Sequence, residues 1–121
     1  MGYRSEVVLV IGKELMPAFM AVTANPDALS FCFSETDTLI EDYEEEGAIL
    51  FYWSWVKWYP GYSGISDIED FIRKVDAGEF DEMTPDAHEH YRFIRAGEEI
   101  DDNETQGCGF GDVYISREIN W

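Results

Sequence analysis

Residues 47–60, GAILFYWSWVKWYP, decide the fold, because they hold three of the four tryptophans in a run of β-branched and aromatic side chains. The acidic turn Glu44–Gly47 precedes this run, and the turn residues Pro60–Gly64 follow it. Such a run between turn residues predicts a β-strand. One predicted face carries Ile49, Phe51, Trp53, Trp55 and Lys57, and the other carries Leu50, Tyr52, Ser54, Val56 and Trp58. Because both faces are largely apolar, we expect an inner strand covered on both sides.

Two helices are predicted, one on each side of this strand in the chain. Residues Lys13–Ala24 carry apolar side chains at helical spacing, and Asn25–Pro26 ends that helix. Residues Ile65–Ala77 repeat apolar side chains at i, i+3, i+4 and i+7, and a glycine follows. Ser66 and Glu69 have the spacing of a capping box at the start of the second helix.

Four further segments predict strands: Tyr3–Ile11, Leu39–Tyr43, Tyr91–Ala96 and Val113–Trp121. The second of these precedes the acidic turn, so it should form a hairpin with the aromatic strand. Residues Asp27–Phe33 are ambiguous, because their apolar side chains alternate as they would in a short strand. Residues Glu98–Gln106 are almost entirely acidic or polar, and no strand is predicted there.

The resulting element order is β-α-(β)-β-β-α-β-β. This order predicts a single α+β domain over residues 1–121, with two helices packed on one mainly antiparallel sheet of about five strands. A ferredoxin-like arrangement is one possibility, and the strand order does not follow from the sequence. A chain of 121 residues with 45% hydrophobic residues is long enough and apolar enough to bury a core.

The charge is the most unusual property of the chain. Twenty-six acidic residues against eight Lys and Arg give a net charge of −18. Such a surface repels nucleic acid and anionic membranes and attracts basic protein surfaces. We therefore expect no direct nucleic-acid binding, no membrane binding and no cofactor.

The carboxylates fall into blocks, and these blocks are the predicted partner-binding residues. They are Glu41, Asp42, Glu44, Glu45, Glu46, Asp67, Glu69, Asp70, Glu98, Glu99, Asp101, Asp102 and Glu104. Duplex DNA carries one charge per ~1.7 Å of its axis, whereas one face of a strand presents a residue only every ~6.6 Å. A surface that imitates DNA therefore requires several blocks to converge. The alternative is that the blocks are separate solvated turns.

No combination of residues predicts an enzyme. His88 and His90 could place two imidazoles on one side of a strand, with Asp86 or Glu89 as a further metal ligand. Two histidines in an acidic segment are more often simply exposed, so no metal site is predicted. No serine or cysteine has a recognisable histidine base beside it.

Two short patterns resemble known loops but lack their essential residues. Residues Asp101–Thr105 begin like a calcium loop, but Gln106 and Asp112 replace the glycine and glutamate that an EF-hand requires. The glycines of Gly107–Gly111 are interpreted as turn residues, because a helix and a lysine do not follow them. Neither pattern predicts a ligand.

The two cysteines, Cys32 and Cys108, are far apart in sequence and do not form a C-x-x-C pair. They are interpreted as two reduced thiols of an intracellular protein. The N-terminus lacks the form of a signal peptide, and no apolar run is long enough to span a membrane. The expected location is the cytoplasm, which is the host cytoplasm if a phage encodes the protein.

Several segments resemble those of small acidic proteins from tailed bacteriophages and prophages. They are Gly2–Val7, Val56–Tyr59, Tyr91–Glu99, Asp101–Glu104 and Tyr114–Arg117. The resemblance covers about half of the chain and implies no catalytic residues. Small acidic phage proteins of this kind often inhibit host restriction enzymes or CRISPR effectors by occupying a basic nucleic-acid channel.

The resemblance implies an anti-CRISPR or anti-restriction inhibitor that acts like a DNA mimic on a host defence protein. An alternative function is that of a phage structural or housekeeping domain that forms a homodimer. A large exposed aromatic patch around Trp53–Tyr62 would favour this alternative.

Overall fold

The computed structural model describes residues 3–59, 61–99, 101–115 and 119–121, so predictions for Gly2, Pro60, Ile100 and residues 116–118 lie outside these ranges. The predicted α+β class is confirmed, with the element order β-α-α-β-β-α-β-β for the helices and the main sheet. The helices are α1 (Met16–Val22), α2 (Pro26–Phe33) and α3 (Ile65–Asp76). The strands of the main sheet are β1 (Ser5–Ile11), β2 (Thr38–Glu41), β3 (Ile49–Val56), β4 (Tyr91–Gly97) and β5 (Asn103–Gln106). A separate two-stranded sheet consists of β6 (Tyr114–Ile115) and β7 (Ile119–Asn120).

The five strands of the main sheet lie in the order β2-β3-β1-β4-β5, and all neighbours are antiparallel. The aromatic strand β3 is therefore an inner strand, as predicted. Ile11 pairs with Ile49 and with Tyr91 at what we call the upper end of the sheet. Ser5 pairs with Gly97 at the lower end. This register decides which turns can lie close together.

The three helices cover one face of the sheet with a largely aromatic layer. Its buried aromatic side chains are Phe19, Phe31, Phe51, Trp53, Trp58, Phe71, Tyr91 and Phe93. The Trp53 ring stacks on Phe31 with centroids 4.9 Å apart, and its Nε1 donates to the Phe31 carbonyl oxygen at 3.2 Å. On the opposite face, Val8, Val10, Leu50 and Ile94 form a second buried layer with Val113 and Ile119. Both faces of the inner strands are thus covered, which explains the two apolar faces of the sequence.

The alternation of β3 is interrupted near its lower end by a β-bulge. The register with β1 shifts just beyond the pair Val7–Trp53, so β3 carries an extra residue there. Trp55 is 55% exposed, whereas Trp58 returns to the helix-side layer. The predicted faces of Val56 and Trp58 are therefore wrong, because both pack in the helix-side layer once strict alternation ends at the bulge.

The ambiguous segment Asp27–Phe33 is helical, so its interpretation as a short strand is wrong. The side-chain oxygen of Asn25 accepts a hydrogen bond from the backbone N–H of Ala28 at 2.9 Å, and Pro26 lies in the first turn. Asn25 and Pro26 therefore start a second helix directly after α1. The buried residues of α2 follow helical spacing: Ala28, Phe31 and Cys32.

The start of α3 differs from the predicted capping box. Gly64 occupies the N-cap position with a φ of +86°, and among the described residues no side chain caps the helix. A Cβ atom on Gly64 would lie 3.0 Å from the Cβ of Phe31, so the close approach of α2 also favours glycine. Glu69 has a different role from the predicted one, because it accepts a hydrogen bond from Trp58 Nε1 at 2.7 Å.

The C-terminal segment does not supply the fifth strand of the main sheet, contrary to the prediction for Val113–Trp121. That strand is β5, within the polar segment where no strand was predicted, and it pairs with β4 from Phe93–Gln106 to Ala96–Asn103. The described part of the C-terminal segment instead packs Val113 and Ile119 on the sheet.

The longest described helix is α3, with 12 residues. A helix needs about 20 apolar residues to span a bilayer. Accordingly, none of the helices in the described ranges has the length and apolarity that a membrane crossing requires.

Arg95 holds the lower end of the sheet together. Its Nη2 donates to Asp102 Oδ1 and its Nε donates to Glu104 Oε1, each at 2.8 Å. The Tyr3 hydroxyl donates to Asp102 Oδ2 at 2.7 Å, which ties the start of the described chain to this turn. The hydrogen bonds from Arg95 and then from Tyr3 lower the pKa of Asp102 to about 2.

We expect the substitution Asp102→Asn to lower the melting temperature at neutral pH by a few degrees. The pKa of Asp102 in the folded protein lies below its ordinary value of 3.8, so the ionised carboxylate stabilises the fold above that pH. This stabilisation is lost as the pH falls toward about 2, so the melting temperatures of the two proteins should converge. Thermal unfolding followed across this pH range, with Asp101→Asn as an exposed control, measures the effect. A difference that stays constant down to about pH 2 would contradict this role.

Candidate protein-interaction surface

The two acidic turns lie at opposite ends of the sheet. The turn between β2 and β3 is at the upper end, because Glu41 pairs with Ile49. The turn between β4 and β5 is at the lower end, because Gly97 pairs with Ser5. A seven-residue strand such as β1 separates the two ends by roughly 20 Å. The structure therefore does not bring the predicted residues Glu41–Glu46 and Glu98–Glu104 together on one surface.

The predicted carboxylates of α3 all make hydrogen bonds within the protein. Asp67 accepts from Asn25 Nδ2 at 3.1 Å, and Asp70 accepts from Arg73 at 3.1 Å on the exposed helix surface. Glu69 binds the indole of Trp58, as described above. Asp67 and Glu69 thus connect α3 to neighbouring segments, which gives these two residues a structural role.

The lower acidic turn, residues 98–104, contains both paired and exposed carboxylates. Asp102 and Glu104 form ion pairs with Arg95. Glu98, Glu99 and Asp101 are exposed to solvent. This end of the sheet therefore presents a short acidic patch of three residues beside an ion-paired cluster.

The upper acidic turn is shaped by backbone conformations that expose its side chains. Asp42 and Glu44 have φ values of +55° and +61°, and Asp42 Oδ1 accepts a hydrogen bond from the Gly47 N–H at 2.8 Å. Glu41, Glu44, Glu45 and Glu46 are exposed. Asp42 thus stabilises the turn that presents the other four carboxylates.

One further segment brings a carboxylate to the upper turn. Glu44 shares a hydrogen bond with Asp112, which raises the pKa of Glu44, with smaller contributions from burial and from the Asp112 charge. A Cβ atom on Gly12 would lie 2.9 Å from Glu45 Oε1, so the turn reaches the end of β1. From the segment that follows Gly12, Glu14 approaches His90 Nδ1 at 3.6 Å.

We call the exposed residues Glu44, Glu45 and Asp112 the acidic end. Glu44 and Glu45 were predicted as interaction residues, whereas Asp112 was missed because it is an isolated acid outside the blocks. In the sequence, the glycines at Gly12 and in Gly107–Gly111 were the signal for close packing of these segments, since such glycines often mark a close approach of backbone. The acidic end therefore combines side chains from two distant segments.

We expect Glu44→Gln to raise the melting temperature at pH 7 by up to a few degrees. A raised pKa means that the folded protein binds this proton more tightly than the unfolded chain does. The resulting stabilisation is present at low pH and is lost as the pH rises through the pKa of folded Glu44, leaving two repelling carboxylates. Thermal unfolding at pH 7 and near pH 4 tests this, and the gain should disappear at the lower pH. A lower melting temperature at pH 7 would show that the pair does not repel.

An open aromatic cleft of about 530 Å³ lies toward the lower end of β3. Its lining includes Arg4, Trp55, Lys57 and Tyr62, and the side chains of Trp55 and Tyr62 are 55% and 49% exposed. Arg4 is half-buried in this wall. The exposed aromatic patch considered for Trp53–Tyr62 is thus limited, because Trp53 and Trp58 belong to the core.

The two histidines lie in a 3₁₀ helix, Ala87–His90, and not on a strand. His90 turns toward Glu14, whereas a ligand atom of His88 lies within 4.8 Å of one from Glu89 and one from Cys108. The pairing of His88 with His90 on one side of a strand, which the sequence left open, therefore does not occur. The structure places Cys108 beside His88, which sequence spacing could not show.

Comparisons with protein-family models, curated proteins and solved structures give no match. The candidate functional features therefore come from the structure of this chain and not from a relative. They are the acidic end, the aromatic cleft and the side chains around Cys108.

Proposed function

We propose that the protein is a non-enzymatic inhibitor of phage type, which binds the basic nucleic-acid-binding surface of a host restriction enzyme or CRISPR effector. The observation that carries this proposal is the acidic end. There, exposed carboxylates from two distant segments meet: Glu44 and Glu45 come from the upper turn, and Asp112 shares the hydrogen bond that raises the pKa of Glu44. The sequence resemblance to small acidic phage proteins supports the same class of function.

The chemistry of the acidic end favours a Lys-rich or Arg-rich partner. Neighbouring carboxylates repel each other, and a cationic side chain placed between them removes this repulsion while forming charge-assisted hydrogen bonds. A net charge of −18 also steers a basic protein toward the surface, and this attraction weakens as salt is added. Since the lower acidic patch is roughly 20 Å away, it would contact a different part of the partner.

The proposal is tested by capture from a bacterial lysate that contains restriction and CRISPR effectors, with the protein immobilised on beads. We expect one nucleic-acid-handling enzyme to be retained at low salt, released at high salt and displaced by duplex DNA. The purified partner should then lose its DNA-cleaving activity at a stoichiometric amount of this protein. A partner that is retained at high salt, or whose activity is unaffected, would overturn the proposal.

A second candidate function is self-association through the aromatic cleft. Exposed Trp55 and Tyr62, next to Arg4 and Lys57, favour an interaction through this surface. Light scattering after size-exclusion chromatography distinguishes the two functions. A dimer that Trp55→Ser dissociates, without loss of the fold, would favour the homodimer, and a wild-type monomer would exclude it.

A further inference from the structure

Residues Gly107–Gly111 form a loop that is held against the segment that leads into β4. The Cys108 N–H donates to the His88 carbonyl oxygen at 2.9 Å, and the Gly109 N–H donates to the Tyr91 carbonyl oxygen at 3.2 Å. Backbone atoms of Glu89 and Tyr91 occupy the space that side chains on Gly109 and Gly107 would need. The glycines therefore allow the loop to pack closely against this segment, and the hydrogen bonds hold Cys108 beside the 3₁₀ helix.

This packing brings three different kinds of donor atom together. The Cys108 sulfur, a His88 ring nitrogen and a Glu89 carboxylate oxygen all lie within 4.8 Å of one another, and all three side chains are exposed. Ligand atoms around a tetrahedral zinc ion are about 3.5 Å apart, given metal–ligand distances of about 2.0–2.3 Å. Side-chain rotations that move the ligand atoms by about one ångström would bring them to the spacing of a zinc site. The backbone hydrogen bonds hold the two segments in place meanwhile.

The surroundings favour a cation. The cleft beside the cluster has a volume of about 420 Å³, and its lining includes Asp76, Asp81, His88 and Cys108. Asp76 and Asp81 are exposed carboxylates, which add negative charge around the cluster. The cleft also leaves room for water or a carboxylate to complete a four-coordinate site.

We propose that His88, Glu89 and Cys108 bind one divalent transition-metal ion of the zinc type. A thiolate and an imidazole select zinc and similar borderline-soft ions, whereas calcium and magnesium prefer oxygen ligands alone. The cluster differs in chemistry from the acidic end, which contains only carboxylates, although Asp112 follows the loop that carries Cys108. The metal site is independent of the proposed inhibitor function, and each can fail without the other.

Cobalt(II) is a direct probe, because its thiolate complexes absorb light and report both the ligand and the geometry. We expect metal-stripped, reduced protein to bind one equivalent of Co²⁺, to show thiolate-to-cobalt absorption with the visible bands of a tetrahedral site, and to lose both when Zn²⁺ is added. Cys108→Ser should abolish the thiolate absorption, and His88→Ala should weaken Co²⁺ binding by at least tenfold. His90→Ala is the matched control, because His90 faces Glu14 and not the cluster, and it should bind like the wild type.

Three results would overturn the site. They are the absence of thiolate absorption in the wild type, retention of that absorption by Cys108→Ser, and binding of Ca²⁺ or Mg²⁺ at the same affinity as Zn²⁺. Retention in Cys108→Ser would assign the absorption to the other thiol, Cys32. Circular dichroism of each metal-free variant shows whether the fold is intact. If Cys108→Ser does not fold, titration of His88→Ala and His90→Ala still decides the question, because equal affinities would contradict the site.

Discussion

Neutralising the acidic end should weaken binding to the host target by about 10- to 100-fold. The triple variant Glu44→Gln, Glu45→Gln and Asp112→Asn removes three negative charges and keeps the size of each side chain. Because Glu44 and Asp112 share a hydrogen bond, an amide at each position can still connect the two segments. The affinity and its dependence on salt concentration, measured by calorimetry with the captured enzyme, should fall together.

The lower acidic patch offers a control with the same charge change. Glu98→Gln, Glu99→Gln and Asp101→Asn also remove three charges, at the end of the sheet that is roughly 20 Å away. We expect this variant mainly to slow association, since distant charges contribute to steering more than to the contact itself. If the two variants lose the same affinity, the net charge alone accounts for binding. That result would contradict a specific contact through the acidic end.

The second large effect concerns the loop that carries Cys108 and leads to Asp112. Gly109→Ala should lower the free energy of unfolding by about 1–3 kcal/mol. Its new Cβ would collide with the Glu89 carbonyl group and lie 3.2 Å from the Tyr91 nitrogen. The loop or the segment that leads into β4 would therefore have to move its backbone. Urea denaturation followed by circular dichroism measures the change.

Gly111→Ala is the matched control in the same loop. A Cβ atom at Gly111 would meet no heavy atom of the described residues within 4 Å, so we expect a change near zero or a slight stabilisation from the stiffer unfolded chain. If both substitutions destabilise the protein equally, the loop is not packed against the segment before β4. Both the acidic end and the proposed metal site would then lose their structural basis.

The fold class could be predicted from the sequence because its strongest signals are local and periodic. The aromatic run specified an inner strand, and the apolar spacing of Ile65–Ala77 specified α3. The helix α2 was missed because Leu29, Phe31 and Phe33 alternate, although Asn25 was available as a cap. The strand β5 was missed because it is short and polar, and its pairing with β4 depends on tertiary context.

The candidate site was less predictable, because it depends on which turns lie at the same end of the sheet. Blocks of acids are visible in the sequence, but only the antiparallel register shows that residues 41–46 and 98–104 lie at opposite ends. The pairing of Glu44 with Asp112 joins residues 68 positions apart in the chain. A single sequence contains no local signal for such a contact.

The two outer strands of the main sheet are both short, with four residues each. An outer strand leaves backbone N–H and C=O groups available for pairing with another molecule, which is a common route to aggregation. Here β2 ends at the exposed Glu41, whereas Glu104 of β5 is ion-paired with Arg95. The net charge of −18 should oppose such pairing between copies of the chain. This protection should weaken near the isoelectric point of about 4.1, where the protein should be most prone to form fibrils or precipitate.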